Sequence, residues 1–118
     1  MKAGNPLSPR IVVVVANYGF SQAADQLKSF FRQYFPTWLV DNSSPEKPEG
    51  VDRILENRFY PGLWEEAVHI GREQESEWIL FCASDIRIDT PGGLIRGIGE
   101  ATETPEIGIY TPSLHRES

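Results

Sequence analysis

The sequence contains a single cysteine and lacks a long apolar segment. Cys82 has no partner for a disulfide within the chain, which predicts a reducing compartment and a cytoplasmic location. The apolar run at residues 11–16 is too short and too β-branched for a secretory signal, and nothing approaches the length of a membrane span. We therefore expect a soluble protein that is not an integral membrane protein.

Basic residues are scarce as well. Lys and Arg together number 11 against 17 Asp and Glu, which gives a formal net charge of -6. A protein that binds DNA or RNA needs clustered Lys and Arg to replace the counterions of the phosphates, and no such cluster occurs. We expect no nucleic-acid partner. A nucleotide ligand remains compatible with this charge, because backbone N–H groups or a metal ion can hold phosphates.

Three common phosphate-site patterns are missing. The letters NYGFS stand at residues 17–21, where a dinucleotide site would carry G-x-G-x-x-G, and the P-loop pattern G-x-x-x-x-G-K-[ST] does not occur. A phosphorylatable receiver domain would need paired acids after the first strand, where Ala16 and Asn17 stand, and a Lys after the last. These absences exclude the classical dinucleotide, P-loop and receiver sites.

Apolar runs and helical repeats alternate along the chain. Residues 11–16 are apolar at every position, which is typical of a central parallel strand covered on both faces. Apolar residues then recur at helical spacing after Ser21, a predicted N-cap, with Pro36 as a stop. Further strands are predicted at residues 37–41, 51–57, 77–82 and 107–111, and further helices at residues 63–71 and 91–101.

This order predicts an α/β fold, a three-layer Rossmann-like domain with a mostly parallel sheet and helices on both faces. The length of 118 residues and the hydrophobic content of 40% allow one buried core. We expect a single domain over residues 1–118, with residues 1–10 as a lead-in.

Polar residues follow nearly every predicted strand. Open α/β sheets bind ligands beyond the carboxyl ends of their strands, so these positions are the candidate site. The residues are Asn17, Asp41, Asn57 and Asp85. Asn, Asp and Ser are also the ordinary residues of turns and caps, so each position has a purely structural alternative. Asp41 and Asp85 are the strongest candidates for a functional role, because each follows an apolar run that is expected to be buried.

Taken together, five segments in this order resemble family 2 glycosyltransferases, which have the GT-A fold. They are residues 12–18, residues 40–44, residues 56–57 with Gly62 and Ala67, residues 79–85, and residues 107–112. The resemblance implies that the chain binds a nucleoside diphosphate sugar. It also implies transfer of the sugar to a hydroxyl acceptor, with inversion at the anomeric carbon.

The resemblance also implies roles for the candidate residues. Asp41 would contact the base, and Asn17 and Asn57 would line the same pocket. Asp85 matches the final acid of the family's D-x-D motif, which binds the ribose or a divalent metal, Mn²⁺ or Mg²⁺, that bridges the diphosphate. Such a cation neutralises charge on the leaving diphosphate.

Two departures from the family pattern bear on catalysis. Ala83 replaces the first acid of the D-x-D motif, and the segment that carries the general base in family members would follow Ser118. We therefore expect sugar transfer only if further residues complete the chain, and the catalytic residues are unknown. The alternatives are a noncatalytic nucleotide-binding domain, and an interaction domain whose open sheet edge is covered by a second copy or another protein.

The remaining notable side chains favour structural roles. His69 has no His or Cys partner at metal-binding spacing, which favours a packing or surface role. The sequence pattern predicts burial for Trp38, Trp64 and Trp78, with Trp64 as the one that borders a ligand pocket if any does.

Overall fold

Four parallel strands form a sheet in the part of the chain that the structure describes. The computed structural model describes residues 11–56, 60–85 and 91–102. Its elements are β1 (Ile11–Asn17), α1 (Ser21–Phe31), β2 (Thr37–Asp41), β3 (Arg53–Ile54), α2 (Tyr60–Glu73), β4 (Trp78–Ala83) and α3 (Pro91–Thr102). The strand order is β3-β2-β1-β4, and every neighbouring pair is parallel. The predicted α/β class with a parallel, Rossmann-like sheet is confirmed.

The described residues belong to two compact units. Residues up to 86 belong to the first unit, which contains the sheet with α1 and α2, and residues from 87 belong to the second, which contains α3. Helix α3 begins at Pro91 as predicted, since the missing N–H and fixed φ of proline suit the first turn. None of the described helices is long and apolar enough to cross a membrane. The single-domain prediction stays a prediction.

Both faces of the sheet are covered in the first unit. Val12 and Val14 of β1 pack with α2 in one buried cluster, whose other members are Ala16, Val40, Leu63, Ala67 and Ile70. Alternate residues of a strand point to opposite faces, so Val13 and Val15 lie on the other side. They are fully buried too, and α1 packs over β1 and β2. The uniformly apolar strand was therefore a correct indication of burial on both faces.

Helix α2 approaches β4 closely at Gly71. A Cβ atom at this position would lie 2.5 Å from Cδ1 and 2.7 Å from Cγ1 of Ile79. Real Cβ atoms do not approach other atoms so closely, so any side chain at position 71 forces Ile79 or the helix to move. The absence of a side chain at this position therefore sets the distance between α2 and the sheet.

A non-glycine residue adopts the left-handed conformation just after the C-terminal end of α2. Glu75 has φ 54°, and its N–H donates to Arg72 O while the N–H of Ser76 donates to Gly71 O. This pair of bonds is the Schellman arrangement, in which the left-handed position is most often glycine. Glu75 therefore adopts a backbone conformation that a residue with a Cβ enters at a cost.

An arginine links the edge strand β3 to α2. Arg53 forms hydrogen-bonded ion pairs with Glu66 and Glu73, and its guanidinium lies 5.0 Å from the ring centroid of Trp38. The hydrogen bond from Arg53 is the main reason that the pKa of Glu73 is lowered. The side chain of His69 is 65% exposed, so His69 is a surface residue, and its Nε2 lies 3.3 Å from Glu73 Oε2.

Strand β3 and the start of helix α1 differ from the sequence prediction. Strand β3 is confined to Arg53–Ile54 rather than residues 51–57, because its pairing with β2 covers only Val40 and Asp41. Helix α1 begins at Ser21 itself, with Phe20 at the N-cap and no side-chain cap, so the N-cap prediction for Ser21 was wrong. The Ser21 hydroxyl instead donates to Glu46 O in the loop after β2. The predicted strand at residues 107–111 lies outside the described residues.

Candidate functional site

The carboxyl ends of β1, β2 and β4 lie at one edge of the sheet. Residue pairing places Asn17 beside Asp41 and Ala16 beside Ala83, so the residues that follow these strands are neighbours. The chain runs from β1 to β2 on one side and later returns to β4 on the other side of β1. The switch point of the sheet therefore lies between β1 and β4, the position at which α/β sheets bind ligands.

Asp41 is buried at the centre of this edge. Its side chain is 0% exposed, and its Oδ1 accepts hydrogen bonds from Asn17 Nδ2 at 2.8 Å and from Ser44 Oγ at 2.6 Å. Its Oδ2 accepts the backbone N–H of Ser44 at 3.0 Å and lies 3.7 Å from Lys47 Nζ. A buried carboxylate is tolerated when donors of this kind surround it. Asp41 thus shapes the turn after β2 and holds it to β1.

Asn17 connects three strands' ends through its amide. The Nδ2 group donates to Asp41 and also lies 3.1 Å from Ser44 Oγ and 3.2 Å from Ser21 Oγ. The Oδ1 atom accepts the Ser84 hydroxyl at 2.7 Å and the N–H of Phe20 at 3.1 Å. Asn17 is therefore a buried junction between β1, the turn after β2, and the turn after β4.

Three members of this cluster, Ser44, Ser84 and Lys47, were not among the predicted site residues. Ser44 is 1% exposed and Ser84 is 3% exposed, and both donate their hydroxyl protons within the cluster. Lys47 supplies the only cation of the described residues within ion-pair distance of Asp41. The D-x-x-S spacing of Asp41 and Ser44 is a signal for such a turn, because an Asp side chain often accepts the N–H two or three residues later.

The cluster satisfies its own hydrogen bonds. Among the described residues, no buried side-chain nitrogen or oxygen lacks a partner. Direct contact of Asn17 or Asp41 with a ligand would therefore require the surrounding loop to move. Their assignment as ligand-binding residues stays a prediction.

Asp85 differs from Asp41 in its exposure. It follows Ser84 in the turn after β4 and is exposed at the edge of the sheet. Nearby Cys82 is 4% exposed, as expected, and burial together with the charge of Asp85 raises the pKa of its thiol to about 12. Asp85 is thus the predicted site residue whose carboxylate is available at the surface.

Two exposed aromatic rings flank a left-handed glycine at the same edge. Tyr18 is 58% exposed and Phe20 is 53% exposed, while Gly19 between them has φ 84°. The N–H of Gly19 donates to Ser44 Oγ at 2.8 Å, which anchors this turn to the buried cluster. Large rings exposed beside a sheet edge are suited to contact with a planar or apolar ligand group.

The remaining predictions for the site concern Asn57, Trp64 and a bound metal ion. Asn57 lies outside the described residues. Trp64 is 51% exposed and packs edge-on against Phe81, with centroids 5.1 Å apart, so the prediction that it is buried was wrong. The described residues contain no group of three or more His, Cys, Asp or Glu side chains that could hold a metal ion. A cation at this edge would need ligands from the substrate in addition to Asp85.

Comparisons with protein-family models, with curated proteins and with solved structures found no match to this chain.

Proposed function

We propose that the carboxyl edge of this sheet binds a nucleoside diphosphate sugar, and that the chain supplies the donor-binding part of a glycosyltransferase of the GT-A type. One observation carries the proposal. The ends of β1, β2 and β4 meet beside the switch point of a parallel sheet, with Asp85 exposed there. This is the location at which α/β sheets bind ligands, and nucleotides are common among those ligands.

The features around Asp85 suit the parts of such a ligand. Helix α1 begins at this edge without a side-chain cap, so its first N–H groups point toward the edge with the positive end of the helix dipole. Exposed Tyr18 and Phe20 offer ring faces beside it. An uncapped helix start favours phosphate, and an aromatic face favours a base or sugar ring.

Asp85 is the candidate ligand for Mn²⁺ or Mg²⁺. Magnesium in nucleotide sites is commonly held by one or two carboxylates together with phosphate oxygens, so a single exposed carboxylate fits a cation that arrives with its nucleotide. When bound, the cation would neutralise charge on the leaving diphosphate. Asp85 would orient the diphosphate in that role, and no catalytic base is assigned among the described residues.

A noncatalytic binding domain is the second candidate, and the buried cluster favours it. Asn17 and Asp41 are fully buried and hydrogen-bonded to each other. Side chains that serve only to join the strand ends would be arranged in this way. In that case the domain keeps its fold and acts through other contacts, including a second copy or another chain at a sheet edge.

Isothermal titration of the purified chain with UDP, GDP and dTDP, each with and without Mn²⁺, tests the proposal. We expect metal-dependent binding of one nucleotide and its loss in Asp85→Ala. Glu77→Ala is the matched control, because Glu77 is also an exposed acid and precedes β4 at the opposite edge of the sheet. Binding that survives in Asp85→Ala would reject Asp85 as the metal ligand, whereas no binding at millimolar nucleotide would reject the donor site in this chain and favour a domain that acts through other contacts.

A further inference from the structure

The segment that covers Asp41 is held mainly by one face of α1. We call residues 44–50 the cover segment; its first residue, Ser44, donates its N–H and its hydroxyl proton to Asp41. Ser21, Asp25 and Lys28 of α1 are spaced by four and three residues, so they lie on one face of the helix. They bind successive backbone groups of the cover segment: Ser21 donates to Glu46 O, Asp25 accepts from Glu49 N and Gly50 N, and Lys28 donates to Gly50 O.

The cover segment itself contributes little to the core. Pro45, Glu46, Lys47 and Glu49 are exposed, and Ser44 and Pro48 are its buried residues. Its attachment therefore depends on a few polar contacts. Such segments are the regions that open locally, at a free energy well below that of global unfolding.

One end of the cover segment adjoins a strained residue. Ser43 has φ 60°, a left-handed conformation that is unfavourable for a residue with a side chain. Its hydroxyl donates to Leu55 O at 2.6 Å, which helps to hold it there. At the other end, Asp25 and Lys28 hold both backbone groups of Gly50, so Ser43 is the position that can absorb the rotation on opening.

We propose that the cover segment opens as a local unit, hinged at Ser43, and that this opening controls access to Asp41 and Asn17. The control of nucleotide access rests on the proposed function, whereas the local opening does not. Asp41 and Ser44 are buried when the segment is closed, and Lys47 adds a contact to Asp41 that opening removes. A ligand that needs Asp41 would then bind only the open population, and its apparent affinity would fall with that fraction.

Amide hydrogen exchange of the ligand-free chain tests the opening. The reporter is the N–H of Ser44, which donates to Asp41, and the reference is the N–H of Val14 within β1. We expect exchange at Ser44 to be nearly independent of low urea concentrations, while exchange at Val14 follows global unfolding. Exchange at Ser44 that follows the same urea dependence as Val14 would overturn the proposal.

Asp25→Asn is the variant that loosens the cover segment. It removes the charge from a carboxylate that accepts two backbone N–H groups, so we expect exchange at Ser44 to become about tenfold faster. Glu49→Gln is the matched control, since it removes one charge from the segment but keeps the backbone N–H that Asp25 binds. Equal acceleration in both variants would overturn the assigned anchor.

Titration of Asp25→Asn with UDP, GDP and dTDP in the presence of Mn²⁺ then tests the control of access. If opening limits binding, the nucleotide that binds the natural chain should bind Asp25→Asn about tenfold more tightly, in proportion to the faster exchange. Unchanged affinity alongside faster exchange would overturn the control of access. Failure of all three nucleotides to bind either protein would reject the donor site and, with it, this control, while the exchange data still decide whether the segment opens.

Discussion

Replacing Asp41 with alanine should strongly destabilise the protein, whatever ligand it binds. The substitution removes the acceptor of three short hydrogen bonds, from Asn17 Nδ2, Ser44 Oγ and Ser44 N, in a region that water does not reach. A hydrogen bond to a charged group contributes about 1.5–3 kcal/mol, but Asn17 keeps other acceptors, and Ser44 Oγ still accepts from Asn17 and Gly19. The N–H and the hydroxyl proton of Ser44 are the donors left buried without an acceptor. Lys47 is 42% exposed, so its ion pair adds little.

These contributions give an expected loss of about 3 kcal/mol, a large share of the roughly 5–15 kcal/mol that stabilises a small domain. Equilibrium unfolding in urea, followed by tryptophan fluorescence, should show a midpoint lower by roughly 1–3 M. Asp85→Ala is the control at the same edge, and because Asp85 is exposed its effect should stay within about 0.5 kcal/mol. An Asp41→Ala variant that loses less than about 1 kcal/mol would refute the argument that the carboxylate joins the strand ends.

Three further predictions concern packing, backbone strain and the thiol. Glu75→Gly should raise the free energy of unfolding by up to about 1 kcal/mol, because glycine adopts the left-handed conformation without penalty, and urea unfolding would measure it. Gly71→Val should lower that free energy by about 1–3 kcal/mol in the same assay, since its Cβ would overlap the Ile79 side chain; an unchanged midpoint would contradict the close packing. Cys82 should react slowly with a thiol reagent at pH 8 and rapidly once urea unfolds the chain, because burial and the charge of Asp85 raise its thiol pKa to about 12. The raised thiol pKa of Cys82 also sets the direction of the pH dependence of stability. The contribution of the protonated, buried thiol is complete below the unfolded thiol's pKa of 9.0 and is lost as pH rises through about 12. Fast labelling of the folded chain would refute it.

Much of the scaffold could be predicted from local patterns. Four consecutive valines in β1 indicated a strand buried on both faces, because only such a strand tolerates apolar residues at both alternating positions. The order of strands and helices then required a parallel sheet. Pro91 marked the start of α3 for a similarly local reason.

The candidate site was predictable only as a location. The rule that polar residues after buried strands meet at one edge correctly brought Asn17, Asp41 and the turn of Asp85 together. It could not distinguish a buried carboxylate from an exposed one, because that depends on the loop that folds over it. The partners of Asp41 come from positions up to 24 residues away, and no local pattern encodes their distances.

The sequence by itself determined the alternation of elements, the burial of β1 and the edge at which polar groups gather, because each follows from the spacing of apolar residues along a strand or helix. The tertiary structure alone decided that Asp41 is enclosed while Asp85 is open to solvent. The physical reason is the cover segment, which side chains of α1 hold over one strand end. Asp41, the last residue of β2, and Asp85, two residues beyond β4, thereby differ in exposure although both lie at the same edge of the sheet.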